Sequence, residues 1–199
     1  MIDPTRLRTE FFTGAAVAAQ MPTLAAMRVA VFRAFPYLYD GTVKTDADYT
    51  TGFAASATAG LAVAFDGDTP VGASTCIAMA EEDDHVTAPW RRAGVDLARL
   101  CYFGESVLLA PYRGFGIGVR FMALREAHAR GLAGVRMAAF CAVERRQDHP
   151  LRPADHVPLD LFWRKRGYLP TDMVCTMRWK QVDSADKVEN RLRFWCKTL

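Results

Sequence analysis

The five cysteines of this chain are scattered and form no close pair. The two nearest in sequence, Cys175 and Cys196, still lie more than twenty positions apart. Structural zinc sites and redox dithiols need cysteines within a few positions of each other. The spacing therefore argues against both, and we expect reduced, buried thiols and no metal site.

Long uncharged hydrophobic runs are also lacking. A membrane-spanning helix needs about 18 consecutive apolar residues, and a secretory signal needs a basic segment followed by an apolar core. The amino terminus, Met1–Arg6, reads Met-Ile-Asp-Pro-Thr-Arg and has neither feature. We therefore expect no membrane partner and a cytoplasmic location.

The chain has little excess of charge of either sign. It carries 25 basic and 22 acidic residues, a formal net charge of +3, spread along 199 residues. This dispersed charge argues against a nucleic-acid partner. With 51% hydrophobic and 24% charged residues, the chain has the composition of a compact globular protein. Its length predicts a single domain over residues 1–199.

The hydrophobic pattern predicts a mixed order of strands and helices. The predicted strands are Thr9–Thr13, Leu61–Phe65, Val71–Ala80, Leu97–Ala110, Val135–Val143, Thr171–Lys180 and Arg191–Lys197. The predicted helices are Gly14–Phe35, Asp46–Ala59, Ile117–Arg130 and Leu159–Arg166. The turn-rich stretch between the second and third strands predicts a hairpin. We expect the acidic cluster Glu81–Asp84 to be a solvated loop.

A glycine-rich loop joins the long central strand to the third predicted helix. It reads Gly114-Phe115-Gly116-Ile117-Gly118 and follows Arg113. Glycines let a ligand approach the backbone closely, and the first N–H groups of a helix lack partners within it, so this loop suits a phosphate. A nucleotide-triphosphate loop would need Lys and Ser or Thr after Gly118, and a dinucleotide fold would need Gly at Val119. Neither pattern is present.

The loop resembles the signature of the GNAT superfamily of N-acyltransferases. That signature is Arg or Gln, two residues, Gly, one residue, then Gly or Ala, and Arg113, Gly116 and Gly118 match it. The order of elements over residues 60–180, with the segment Phe162–Tyr168, is also similar to the family. The resemblance implies an α+β fold with a mixed, mostly antiparallel central sheet flanked by helices. In it, the central strand and the strand after the signature helix splay apart to form the CoA cleft.

The resemblance also implies a ligand and an activity. Acetyl-CoA would be the cosubstrate, and its acetyl group would pass directly to a primary amine of a small molecule or a protein in a ternary complex. The pantetheine arm would pair with the backbone of Val107, Leu108 and Leu109. The pyrophosphate would lie on Arg113, Gly114, Phe115, Gly116, Ile117 and Gly118.

Acetyl transfer to an amine needs a group that accepts the amine's proton. Glu105 lies on the central strand just before Val107, and family members often carry a base on this strand. In a regular strand, Glu105 would face the same side as Cys101 and Phe103, where burial would raise its pKa. We therefore predict Glu105 as the general base. The alternative is a structural carboxylate paired with an arginine.

Three further readings stay open at this stage. Trp163 stands where many relatives place a proton-donating tyrosine. The alternative function is therefore a GNAT-like module that binds acyl-CoA without transferring its acyl group. The aromatic segment Phe35–Tyr39 would line a pocket, cap the core or form an interaction surface. The apolar terminal strand around Leu192, Phe194 and Trp195 would let two copies pair as a homodimer.

Overall fold

A computed structural model describes residues 2–44 and 52–199. The helices are α1 (Ala15–Ala19), α2 (Met21–Phe32), α3 (Asp84–Arg92), α4 (Ile117–Gly131) and α5 (Asp160–Arg164). The strands are β1 (Leu7–Thr13), β2 (Gly60–Asp66), β3 (Thr69–Ala78), β4 (Leu100–Tyr102), β5 (Ser106–Leu108), β6 (Met137–Val143), β7 (Leu169–Lys180) and β8 (Lys187–Thr198). The predicted helix Asp46–Ala59 lies partly outside the described residues. In its described part, residues 52–55 are helical.

The strands form one mixed sheet in the order β1-β2-β3-β4-β6-β8-β7, and β5 pairs with β3. The pair β4–β6 is parallel, and the other pairs of this sheet are antiparallel. The predicted α+β fold with a mostly antiparallel sheet flanked by helices is confirmed. Within the described ranges, no helix combines the length and the apolar character needed to cross a bilayer.

The hairpin β2–β3 lies at the centre of the fold because it is covered on both faces. Leu61 and Val63 pack with α1 and α2, whereas Ala62 and Ala64 pack with Ile117 of α4. Strands buried on both faces have nearly continuous hydrophobic sequences, which is why β2 shows no alternation of polar and apolar residues. The sheet is therefore the middle layer between helices.

The predicted long strand Leu97–Ala110 is wrong in one respect, because the strand is interrupted. It forms β4 and β5, and residues 103–105 between them are not strand. The physical reason is a side chain from a neighbouring strand. The Thr75 hydroxyl accepts the N–H of Glu105 at 2.8 Å, while the Thr75 N–H donates to the Glu105 carbonyl at 3.0 Å. This contact turns the backbone at Gly104.

The segment after β3 also differs from the expectation of a solvated loop, since α3 begins there at Asp84. Val86, Thr87, Pro89 and Trp90 are buried on one face of α3, and the Trp90 ring lies 5.3 Å from that of Phe194. Pro89 and the acidic run before it conceal this amphipathic helix in the sequence, although its buried positions follow helical spacing.

The terminal strand β8 occupies an interior position rather than an edge. It pairs with β6 on one side and with β7 on the other. Leu192, Phe194 and Trp195 are buried inside the chain, at 2%, 0% and 4% exposure. The expectation that this strand pairs across a homodimer is therefore wrong, because both of its edges are already used.

The close approach of β5 to β3 depends on the absence of a side chain at Gly72. A Cβ there would lie 2.8 Å from the Val107 carbonyl oxygen and 2.7 Å from Leu108 Cδ1.

We expect Gly72→Ala to lower the free energy of unfolding by about 1–3 kcal/mol, because β5 must shift away from β3. Urea denaturation measures the change. Gly131→Ala is the matched control, since a Cβ there meets nothing within 4 Å; it should be neutral or slightly stabilising. Equal effects of the two substitutions would contradict this account of β5.

Candidate active site

The central feature of the site is a gap where the sheet divides. The last backbone hydrogen bond between the β4 chain and β6 runs from the Phe103 N–H to the Ala139 carbonyl at 2.8 Å. Beyond it, β5 pairs with β3 and β6 continues along β8, and the described strands show no pairing of β5 with β6. The predicted splayed strand pair is present, and it leaves backbone groups facing an open cleft.

The backbone of β5 divides its hydrogen-bonding groups between β3 and this gap. The Leu109 N–H donates to the Val71 carbonyl at 3.0 Å, and the Glu105 carbonyl accepts from Thr75. In an antiparallel pair, alternate residues bond to the partner strand, so Ser106 and Leu108 turn their backbone groups toward the gap. Of the three residues predicted to pair with a pantetheine arm, Leu108 has both its backbone N–H and C=O on that side.

The glycine-rich loop offers a row of backbone donors. The N–H groups of Gly114, Phe115, Gly116, Ile117 and Gly118 find no acceptor among residues 2–44 and 52–199. Gly114 and Gly116 have φ of +88° and +79°, and a Cβ on either would meet nothing within 4 Å. Successive N–H groups at a helix start form an anion-binding concavity. The loop predicted from the sequence therefore has the geometry that a pyrophosphate needs.

Buried contacts and one hydrogen bond fix the position of the glycine-rich loop, and an exposed arginine lies beside it. Ile117 and Phe121 at the start of α4 are buried against Val71 of β3. The Tyr112 hydroxyl donates to Asp66 Oδ2 at 3.2 Å, which ties the loop to the end of β2. Arg113 is exposed, so its guanidinium is free to approach an anion held by the N–H row.

A cavity of about 1090 Å³ opens beside the dividing point of the sheet. Gly104 and Glu105 at the break of the central strand line it, as does Cys141 of β6. Tyr37 and Tyr39 form part of its wall, which agrees with the pocket-lining reading of the aromatic segment Phe35–Tyr39. The cavity opens at the strand break, and β5 leads from that break to the glycine-rich loop, whose residues do not line the cavity.

Glu105 is held firmly inside this cavity. Its carboxylate accepts from the Arg28 guanidinium of α2 and from the Thr75 hydroxyl, the latter at 2.7 Å. The side chains of Glu105 and Arg28 are only 14% and 12% exposed. The sequence offers no signal for Arg28, because it lies 77 positions away on another element. Glu105 is therefore paired with an arginine, as the alternative interpretation of a structural carboxylate expected.

The predicted orientation of Glu105 is wrong. Cys101 and Phe103 belong to the hydrophobic cluster beneath α4, whereas Glu105 shares the cavity with Tyr102. In a regular strand, Cys101, Phe103 and Glu105 would face the same side. The strand is interrupted at Gly104, so this two-residue alternation does not extend to Glu105.

Glu82 is the functional candidate that sequence reasoning missed. It lies just before α3, lines the cavity and is partly buried, not solvated as the acidic cluster suggested. Burial raises the pKa of Glu82 to about 7, and the nearby negative charges of Glu105 and Asp83 act in the same direction. A carboxyl group with such a pKa exchanges protons near neutral pH, which is the property of a general base.

The two aromatic residues near the end of the signature region are structural. The Trp163 ring lies 5.0 Å from those of Phe140 and Trp195 in a hydrophobic cluster. The Tyr168 hydroxyl is buried and donates to Glu126 at 3.1 Å. Neither lines the cavity. Among the described residues, no group of three His, Cys, Asp or Glu side chains is arranged to hold a metal ion.

Comparison with solved structures finds the same fold. An acetyltransferase of Thermus thermophilus matches with a TM-score of 0.58 and 15% identity, covering 97% of each chain. Naa50 of Arabidopsis thaliana, in complex with the bisubstrate analogue CoA-Ac-MVNAL, matches at 0.53 and 16% over 96% of this chain and 99% of that one. YncA of Salmonella typhimurium, with its cofactor acetyl-CoA, matches at 0.59 and 9% over 98% and 94%.

These likenesses establish a GNAT-like fold for this chain, as the sequence predicted. No protein-family model matches the sequence, and no curated protein matches it.

The raised pKa of Glu82 makes a prediction about stability. Ionising this carboxyl costs more in the folded than in the unfolded chain, so the cost is absent below pH 4.5 and fully present above pH 7. Glu82→Gln should therefore raise the free energy of unfolding at pH 8 by on the order of 1–3 kcal/mol. The gain should disappear at about pH 4, and denaturant unfolding at both pH values measures it. Glu81→Gln, which changes the exposed neighbour, should show no such pattern; a pH-independent effect of Glu82→Gln would contradict the prediction.

Proposed function

We propose that this chain transfers the acetyl group of acetyl-CoA to a primary amine by direct transfer in a ternary complex. The observation that carries the proposal is the gap after Phe103. β5 leads from it to the anion-binding loop, and a cavity opens at the strand break, lined by Glu82, a carboxyl group whose pKa burial raises to about 7. The cosubstrate and the acceptor thus have candidate sites near the two ends of β5.

Acetyl-CoA fits the residues on the loop side. The N–H row from Gly114 to Gly118 suits the pyrophosphate, and Arg113 adds a positive charge beside it. The backbone groups of Leu108 suit the amides of the pantetheine arm, which would complete the open edge of β5 much as an added strand does. The thioester would then lie near the break at Gly104–Glu105.

On the cavity side, the acceptor amine must lose a proton to attack the thioester carbon. We assign Glu82 as the group that takes this proton, because its pKa of about 7 lets it be ionised at neutral pH and still bind a proton effectively. Glu105, predicted as the base from the sequence, has both carboxylate oxygens engaged by Arg28 and Thr75. Its charge instead raises the pKa of Glu82.

The fold neighbours support acetyl transfer in general. Naa50 was solved with an analogue that links CoA to a peptide, and YncA with acetyl-CoA. For this chain, a cavity of about 1090 Å³ has room for an acceptor larger than a simple amine, such as a substituted small molecule or a peptide terminus.

Thermal unfolding with and without acetyl-CoA tests the first half of the proposal. At one hundred times the dissociation constant, a ligand that binds only the folded state adds about 2.7 kcal/mol, which should raise the melting midpoint measurably. A thiol-release assay over a panel of primary amines then tests transfer. Binding without release by any amine would favour the module that only holds acyl-CoA, and no shift at millimolar acetyl-CoA would contradict the proposal.

The pH dependence of turnover separates the two carboxylates. In the wild type, kcat should fall as pH drops below about 7, because Glu82 becomes protonated. Glu82→Gln should remove this fall of kcat at low pH, which is the acidic limb of the pH profile, and should lower kcat by about 100-fold or more. Glu105→Gln should retain the limb but move it to lower pH, since a neighbouring negative charge is removed. Loss of the limb in Glu105→Gln, with its retention in Glu82→Gln, would instead identify Glu105 as the base.

A further inference from the structure

The gap between β5 and β6 has a closed end at Phe103 and Ala139. The Phe103 N–H donates to the Ala139 carbonyl at 2.8 Å, and this is the last backbone hydrogen bond between the β4 chain and β6. The Phe103 side chain is buried on the side of the sheet that α4 covers, where Cζ of Arg125 lies 4.4 Å from the centre of its ring. This end of the gap is therefore closed at the level of the backbone and on the α4 side.

On the cavity side, a contact between two side chains closes the same end. Tyr102 of β4 is in register with Ala139, yet its hydroxyl lies 3.0 Å from the sulfur of Cys141, two positions further along β6. Both residues are buried, at 5% and 8% exposure, and both line the cavity. The Tyr102 side chain therefore extends beyond its own register position and meets Cys141 where the two chains separate.

Cys141 is also the first residue of β6 after the last bond to the β4 chain whose backbone faces the gap. Ala139 turns its carbonyl toward Phe103, and alternate residues of a strand direct their backbone groups to opposite neighbours. Cys141 follows two positions later, so its backbone faces the side on which β4 no longer pairs with β6. The contact between Tyr102 and Cys141 thus lies directly at the closed end of the gap.

A pantetheine arm bound along β5 would point toward this closed end. In the proposed binding mode, the arm starts at the glycine-rich loop, completes the open edge of β5 and brings the thioester near Gly104. The acyl group beyond the sulfur then has Tyr102 and Cys141 ahead of it. Protein interiors are close-packed, so even one additional methylene matters at such a position. An acyl group longer than acetyl would have to displace these two side chains.

We propose that Tyr102 and Cys141 set the length of the acyl group that this chain accepts and restrict it to acetyl. This inference rests on the proposed function, to which it adds the selection of the cosubstrate. The methyl group of the acetyl thioester packs against the Tyr102 ring and the Cys141 sulfur, which are both suitable apolar contacts. The two residues act by their shape and exchange no proton with the substrate. The remainder of the cavity stays available to the acceptor.

Binding of a series of thioesters tests this proposal without an acceptor and without turnover. Isothermal titration calorimetry compares CoA, acetyl-CoA, propionyl-CoA and butyryl-CoA on the wild type. Propionyl-CoA should bind about tenfold more weakly than acetyl-CoA, because one methylene more or less in an apolar pocket changes selectivity by about that factor or more. Butyryl-CoA should bind more weakly still. The ratio of two dissociation constants on one protein removes effects that act on all CoA thioesters alike.

Cys141→Ala opens the end of the gap, because it removes the sulfur atom. The dissociation constant of propionyl-CoA should then exceed that of acetyl-CoA by about threefold or less. Tyr102→Phe keeps the ring and removes the hydroxyl, so it should lower the ratio by a smaller amount. Cys101→Ala is the matched control, since it deletes the same atom next to Tyr102. Cys101 packs in the cluster beneath α4 and does not line the cavity, so this variant should keep the wild-type ratio.

The outcomes separate this inference from the proposal on which it rests. Equal affinities of the wild type for acetyl-CoA and propionyl-CoA would overturn the length limit and leave the transferase proposal standing. An unchanged ratio in both Cys141→Ala and Tyr102→Phe, or an equal decrease in Cys101→Ala, would overturn the role of the pair. A wild type that binds none of the thioesters would overturn both proposals. Lowered ratios in the two variants, with a wild type that transfers acetyl to no amine, would support the length limit and count against transfer.

Discussion

The architecture of the site depends on the contact between Thr75 and Glu105. One hydroxyl accepts the Glu105 N–H and donates to the Glu105 carboxylate, so a single side chain ends the regular strand and fixes the acid beyond it. Beyond this interruption, β5 pairs with β3, and the described strands show no pairing of β5 with β6. The gap, the exposed edge of β5 and the cavity next to Gly104 all lie at this interruption.

The same contact places charge where the gap opens. Arg28 compensates the carboxylate of Glu105 on one side, and Glu82 lies within reach of its field on another. A buried carboxylate without a partner would be costly, whereas a paired one is tolerated and still influences its neighbours. The ion pair therefore holds α2 against the strand break. The charge of Glu105 also adds to the effect of burial, which is the main cause of the raised pKa of Glu82.

Sequence reasoning succeeded where the determinants are local. The loop from Arg113 to Gly118 was identifiable because its glycines, its preceding strand and its following helix are adjacent in the chain. The hairpin β2–β3 and the helix α4 were identifiable for the same reason. The strand break was not identifiable, because Thr75 and Arg28 act on Glu105 from 30 and 77 positions away. A run of apolar residues carries no sign of such a distant hydrogen bond.

Glu82 shows the same limit for a functional group. In the sequence it stands in a run of four acidic residues, and such runs are usually solvated. Its burial depends on how α3 packs against the sheet, and its pKa depends also on Glu105, which lies 23 positions later. The character of a titratable group is a property of its surroundings in the fold, so residue type alone does not identify it.

The seam between the two halves of the sheet is narrow. β4 and β6 share the register pairs Leu100–Met137, Cys101–Ala138 and Tyr102–Ala139. One further backbone hydrogen bond extends this pairing at each end, from the Arg136 N–H to the Arg99 carbonyl and from the Phe103 N–H to the Ala139 carbonyl, whereas β6 and β8 pair over seven residues. A molecule that occupies the gap is therefore next to the short parallel pairing of β4 with β6, and not next to the long antiparallel pairings of β8. Widening of the gap would therefore disturb few backbone hydrogen bonds, and the antiparallel pairs on either side would keep theirs.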